Sequence, residues 1–234
     1  METKTKAFPG LTGNQLKILA LITMTCDHVG LQLLPQIGLL RIIGRLALPI
    51  YAYMIAEGCR YTRDRRRYLG RMLALAAVCQ AVYFGAMRSL YQCILVTFSL
   101  SICLIFVLDR AVRTRKTASI LLALAVFTAV FSVCVALPER LFYTGFAVDY
   151  GIWGVLLPVF VYFGRSKNAK LAWLSAGLCL LAVDLGGSQW WALAAVPLLA
   201  LYSGRRGNWR MGSLFYVYYP VHLAVIYGLS LLWG

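Results

Sequence analysis

The stretch LKILALITMTCDHVGLQLLPQIGLLRIIGRLALPIYAYMIAEGCRYTRDRRRYLGRM, residues 16–72, holds two apolar runs of membrane-spanning length with charged side chains set inside them. The first run, near 15–34, is interrupted by Asp27 and His28. The second, near 38–58, carries Arg41 and Arg45, with Glu57 at its far end. About 20 apolar residues form a helix that crosses a hydrocarbon core of about 30 Å. An ionisable side chain at the centre of such a helix costs about 2.5–3.5 kcal/mol on insertion scales, so each needs a partner, a wet cavity or a function.

Composition extends this reading to the whole chain. Of 234 residues, 61% are hydrophobic and 13% charged, and the mean hydropathy is +0.75. Soluble domains run about 45–50% apolar and about 25% charged. Further apolar runs fall near 68–86, 90–109, 117–137, 147–164, 170–185, 188–203 and 213–233. The expected fold class is therefore all-α, a polytopic integral membrane helical bundle with about nine transmembrane helices. The remaining residues form only loops and ends, so residues 1–234 read as one membrane domain. Pro49 and Pro158 are expected to kink their helices and open backbone toward a cavity.

The charge balance, 23 Lys and Arg against 8 Asp and Glu, is +15. In a soluble chain that excess points to nucleic acid; here it is spread over alternate loops. Lys4, Lys6 and Lys17, then Arg60 to Arg71, Arg110 to Lys116, Arg165 to Lys170, and Arg205 to Arg210 place nineteen of the twenty-three positive charges on one side. Basic short loops stay cytoplasmic, so the N-terminus is expected inside and the C-terminus outside. The runs near 170–185 and 188–203 are short enough to form a re-entrant hairpin, which leaves this topology unchanged. Trp190, Trp191, Trp209 and Trp233 read as interfacial anchors.

The seven cysteines lie in or beside apolar spans with no C-x-x-C pair, which reads as buried thiols. No metal site is expected, because the only two histidines and the scattered carboxylates lack ligand spacing. The first apolar run is too long, and too polar in its middle, for a cleavable signal peptide.

Arg41 and Arg45 are four apart and share a helix face suited to an anion. Asp27 is their evident counter-charge, either in an ion pair that packs the first two spans together or as an acid that orients His28. Neighbours on a helix point about 100° apart, so Asp149 or Asp184 are equal candidates for that orienting role. His28 has the side chain suited to taking and returning a proton. His222 lies in FYVYYPVHL beside Pro220 and Tyr219. Glu57 reads either as a partner of the basic rim or as a carboxylate at a tunnel mouth.

Residues 16–72, with ILVTFSL, VDYGIWGVLL and FYVYYPVHLAVIYGL farther on, resemble the TraX family of bacterial membrane proteins. The resemblance implies an integral membrane acyltransferase of the bacterial inner membrane. Such an enzyme takes acetyl-CoA from the cytoplasm and acetylates an amine or hydroxyl of an envelope-associated acceptor, a pilin-like N-terminus or a glycan. His28 and Asp27 would be catalytic. Arg41, Arg45, Glu57, His222, Asp149 and Tyr219 would meet substrate. Related acyltransferases carry a basic residue eleven positions before a span-one histidine; Lys17 has that spacing from His28, and with Arg41 and Arg45 it would contact the acyl-CoA. The expected partners are lipid bilayer, acyl-CoA and a peptide or glycan acceptor, with no nucleic acid. A small-solute or proton-coupled transporter is the alternative use for the same buried charges.

Overall fold

The computed structural model describes residues 10–208 and 212–233, with the side chains of 86–87, 212–216 and 233 excepted. Lys4, Lys6, Trp209, Arg210 and the Trp233 side chain lie outside what is described. The described chain is helical, without a named strand and with two isolated bridge pairs, Leu11 to Tyr202 and Gln92 to Val148. Its helices are α1 (Gly13–Gln32), α2 (Gly38–Gly44), α3 (Ala47–Tyr61), α4 (Arg65–Met87), α5 (Ile94–Thr114), α6 (Thr117–Phe131), α7 (Leu137–Arg140), α8 (Gly151–Phe163), α9 (Lys167–Leu185), α10 (Ala195–Ala200) and α11 (Gly212–Trp233).

Five stretches among the described residues are long and apolar enough to cross a membrane: α2 with α3, α4, α5, α6 through α7, and α9. Gly151–Phe163 and Val217–Leu232 are apolar but shorter. Five is fewer than the nine expected. In α1, twenty residues long, Lys17, Asp27, His28 and neighbouring amides dilute the hydropathy. α8 begins only at Gly151 because 147–150 is spent on the bridge to Gln92 and a turn. The run expected near 188–203 is a 3₁₀ helix, Gly187–Ala194, followed by six residues of α10. The greater rise of 3₁₀ geometry stretches these two segments to about 25 Å. Lys167 at the start of α9 donates to the Tyr202 carbonyl just past α10 (2.8 Å). α9 and α10 therefore form a hairpin whose two ends lie at one end of the bundle.

That end is the basic rim. Thr12 and Gln15 cap α1 reciprocally, and Gly13 N–H bonds to the Arg205 carbonyl (2.8 Å). Arg60 donates to the carbonyls of Tyr162 and Gly164. Arg65 and Arg113 meet the buried Asp109 at 2.6 and 2.9 Å, and Lys170 pairs with Glu57. Ionic and backbone contacts thus tie α1, α3, α4, α5, α8, α9 and the 202–206 turn together there. Between the rims, Leu16, Ile50, Tyr53, Ile102, Ile105, Val155, Leu174 and Leu178 fill a continuous apolar core.

Proline sets the breaks at the other end. Pro49 has no N–H for the Arg45 carbonyl, and the chain tightens between α2 and α3, with Leu46 N–H bonding to the Ile43 carbonyl at 3.2 Å. The turn Ser132–Ala136 widens to π geometry just before Pro138, the form a helix takes when an i to i−4 bond is lost. Pro158 lies inside α8, which is assigned as one helix from Gly151 to Phe163.

α1 and α2 approach so closely that a methyl group on Gly44 would overlap Asp27 Cβ and Oδ1. A methyl on Gly38, in the same short helix, would meet nothing within 4 Å. Gly44→Ala should therefore lower stability by about 1–3 kcal/mol, the usual range for overpacking. Gly38→Ala should leave it unchanged or slightly raised. Thermal unfolding of both variants in one detergent checks the contrast; equal melting points would contradict this packing.

Candidate functional site

Opposite the basic rim, a cavity of about 730 Å³ is lined by parts of α1, α2, α3, α4, α7, α9, α11 and the 147–151 turn. Its polar lining includes Asp27, His28, Arg41, Arg45, Tyr83, Tyr91, Asp149, Tyr150 and Asp184; Met24, Leu48, Val82, Leu223 and Ile226 supply apolar surface.

Asp27 and His28 leave α1 in different directions, as adjacent helical residues must. Asp27 faces α2. Its Oδ2 lies 2.7 Å from Arg41 Nη1 and its Oδ1 3.4 Å from Arg45 Nη2. Arg41 also donates to the Asp27 carbonyl (3.3 Å). Of the two readings of this acid, the structure contains the ion pair, and the paired groups still line the cavity.

His28 faces α11, where its Nδ1 lies 2.8 Å from His222 Nε2, with the rings stacked at 5.0 Å. His222 Nδ1 is 3.0 Å from the Tyr218 carbonyl. A carbonyl only accepts, so His222 Nδ1 carries the hydrogen and its Nε2 is bare when the ring is neutral. His28 Nδ1 must then donate, which leaves the lone pair on His28 Nε2. No hydrogen bond engages that atom among the described residues, and the ring lines the cavity. The orienting partner is His222, where a carboxylate was expected. Tyr218 stacks on His222 (5.2 Å) and its hydroxyl lies 2.6 Å from Thr25 Oγ1, bracing α11 against α1.

Arg45 is deeply buried. Its Nη1 reaches Gln189 Oε1 (3.2 Å) and the Tyr150 hydroxyl (3.4 Å). Tyr150 has φ +58°, unusual for a bulky side chain. Its turn is fixed by Asp149 N–H to the Gln92 carbonyl (3.0 Å), Thr97 Oγ1 to the Asp149 carbonyl (2.8 Å) and Gly151 N–H to the Val148 carbonyl (2.8 Å). The local strain is held where the side chain serves Arg45.

Next to Tyr150, Asp149 also lines the cavity and accepts from the Tyr91 hydroxyl at 2.6 Å. Both residues lie in connections between helices. Burial pushes the Asp149 carboxyl up to about 6 although the Tyr91 hydrogen bond pulls it down, and burial likewise raises the Tyr91 phenol.

The other expected residues divide by position. Tyr219 lines the cavity and is buried. Asp184 lines its mouth. Glu57 lies at the basic rim in its ion pair with Lys170, the rim-partner reading, and is absent from the cavity lining. Lys17 is half-buried near the start of α1, eleven residues and about 16 Å of helix from His28. Gln189, Tyr91, Tyr150 and Tyr83 were not anticipated. A glutamine in an otherwise apolar run was their one visible signal. Among the described residues no cluster of three or more His, Cys, Asp or Glu could hold a metal ion, and all seven cysteines are free.

A family described as "TraX protein" matches residues 12–230. The chain is 28% identical to a "Probable fimbrial assembly protein FimC, serogroup H1" of Dichelobacter nodosus, over 91% of this chain and 93% of that protein. It is also 53% identical, over 38 residues, to the "Uncharacterized protein RP591" of Rickettsia prowazekii (strain Madrid E), which covers 16% of this chain and 15% of that one. No solved structure matches.

Because the folded pKa of Asp149 lies above the ordinary carboxylate value of about 3.9, the folded state holds this proton longer than the unfolded chain. Stability from Asp149 therefore falls as pH rises from about 4 to about 6. Asp149→Asn removes the titration and keeps an oxygen for Tyr91. The melting point of the variant minus that of the unsubstituted protein should grow between about pH 4 and pH 7; a constant difference would contradict the burial of this carboxyl.

Proposed function

The chain belongs to the TraX protein family, and from that premise we propose that it is an integral membrane acyltransferase of the bacterial inner membrane. Its acyl donor is acetyl-CoA and its acceptor an amine or hydroxyl of an envelope-associated molecule. The name of the Dichelobacter relative, a fimbrial assembly protein, favours a fimbrial subunit as acceptor. The observation that carries the reading is the bare Nε2 of His28, held by the chain His28 to His222 to Tyr218 in a cavity that also contains two arginines.

In this mechanism the acceptor N–H or O–H gives its proton to His28 Nε2 as its lone pair attacks the thioester carbonyl. The tetrahedral oxyanion is met by the guanidinium of Arg45, with Arg41 beside it. Collapse breaks the carbon–sulfur bond, and the departing thiolate takes the proton from His28. His222 shares the imidazolium charge through its Nε2 and keeps the ring aimed. Asp149, also in the cavity lining, is placed to accept a hydrogen bond from the neutral amine or hydroxyl of the acceptor. Asp27 holds the arginines and does not itself move a proton.

The positive-inside rule puts the basic rim in the cytoplasm, so the cavity opens toward the envelope. Lys17 and its basic neighbours are the proposed contacts for the phosphates of coenzyme A. The acyl carbon changes partner about 16 Å deeper, so the acyl group is carried through about half of a hydrocarbon core of about 30 Å during transfer.

The test is acetyl transfer from radiolabelled acetyl-CoA by the purified protein in lipid nanodiscs, with the fimbrial subunit of the same bacterium as acceptor. His28→Gln should lower the rate by about 10²–10⁴-fold, the usual contribution of a general base, and His222→Phe should lower it less. Equal rates in the unsubstituted protein and His28→Gln would remove His28 from the chemistry. Absence of both transfer and coenzyme A release in the unsubstituted protein would overturn the enzyme reading.

A further inference from the structure

Arg41 and Arg45 are equivalent in sequence pattern, but their surroundings differ. Arg41 makes the short contact to Asp27, 2.7 Å to a carboxylate oxygen, and a second to the Asp27 carbonyl. Arg45 is more deeply buried, approaches the same carboxylate at 3.4 Å, and otherwise touches only neutral oxygens, those of Gln189 and Tyr150. One carboxylate facing two guanidinium groups leaves this cluster with one net positive charge, and the contacts place it on Arg45.

Gln189 is what keeps it there. The residue is 3% exposed and sits on the 3₁₀ helix that follows the Gly186–Gly187 turn. Arg45 only donates, so the amide must turn its oxygen to Arg45 and its NH₂ away. Gln189 Nε2 and Arg45 Nε are both buried donors without an acceptor among the described residues, and Asp27 Oδ1 is also without a hydrogen bond. A buried donor left unpaired costs about 1–3 kcal/mol. The unpaired Nε belongs to a buried, incompletely neutralised guanidinium that lines the cavity, and this guanidinium is a seat for an anionic or strongly polarised oxygen. A glutamate at this position would satisfy Arg45 and remove the seat.

We propose that Gln189 is a positioning residue that holds Arg45 as the anion-accepting arginine of the cavity, and that the group received there is a carboxylate or an oxyanion formed on an acyl carbon. This rests on the acyltransferase reading for its catalytic meaning; the anion seat stands by itself.

The probe is acetate, added at constant ionic strength against chloride, with the melting point as readout. The unsubstituted protein should show a saturable rise. Gln189→Met should need at least about tenfold more acetate for half the effect, because it loses the hydrogen bond that aims the guanidinium. Gln189→Glu should lose the response altogether while melting, without acetate, at or above the unsubstituted protein, since the introduced carboxylate would pair with Arg45. A merely structural role predicts the opposite for the second variant, an acetate response that survives wherever stability survives. No acetate response in the unsubstituted protein, or an equal one in Gln189→Glu, overturns the proposal. In the transfer assay, Gln189→Glu should lose kcat with little change in KM, as expected for an interaction made in the transition state. If the acetate pattern holds and the unsubstituted protein transfers no acetyl group, the anion seat stands and the acyltransferase reading fails. If transfer occurs and Gln189→Glu matches it, the acyltransferase reading stands and the seat fails.

Discussion

Asp27 is the residue on which the cavity end of the molecule depends. Two arginines on a short helix can be carried into an apolar bundle only against a carboxylate, since a lone buried guanidinium is among the most costly groups to desolvate. Asp27 supplies that charge from the neighbouring helix, and Gly44 makes room for it. Once α1 and α2 are locked in this register, the next residue of α1, His28, faces α11, where His222 receives it. The ion cluster and the histidine pair are therefore coupled through α1, one on each side of it.

The two ends of the bundle use charge differently. At the basic rim, Asp109 and Glu57 are each engaged by cations in contacts that fasten helices to one another. Around the cavity, positive charge exceeds what Asp27 neutralises, and a second carboxylate, Asp149, lines it with a phenol rather than a cation as its side-chain partner. Buried charge that is balanced fixes structure. Charge that is buried and left partly unbalanced is available to a ligand, and here it lies beside the free nitrogen of a histidine.

Much of this was legible in the residues. The apolar runs gave the helical class, the spacing of Arg41 and Arg45 gave their shared face, and the placement of Asp27 gave their partner. The four-residue rule that joined the arginines holds although the chain tightens at Arg45, because Pro49 breaks the helix only after both have been placed. The orienting partner of His28 was hidden, since a contact across 194 residues leaves no trace in local periodicity. A carboxylate was the expected partner, and a second imidazole serves in its place. Gln189 was hidden for another reason. An amide is cheap enough to pass unremarked in an apolar run, and the 3₁₀ path that buries it does not follow the helical period used to read that run. The span count fell short for a related physical cause: polar residues in α1 and non-α geometry after α9 weaken the same signals by which spans are counted.

The proton arrangement that leaves His28 Nε2 free can be observed directly, because the chain contains only two histidines. Solid-state NMR of the protein in lipid, with ¹⁵N-histidine, reports which ring nitrogens carry hydrogen at neutral pH. Both rings should be neutral with the hydrogen on Nδ1, and magnetisation should pass from His28 Nδ1–H to His222 Nε2. A hydrogen on His28 Nε2, or no transfer between the rings, would contradict a free base at this position.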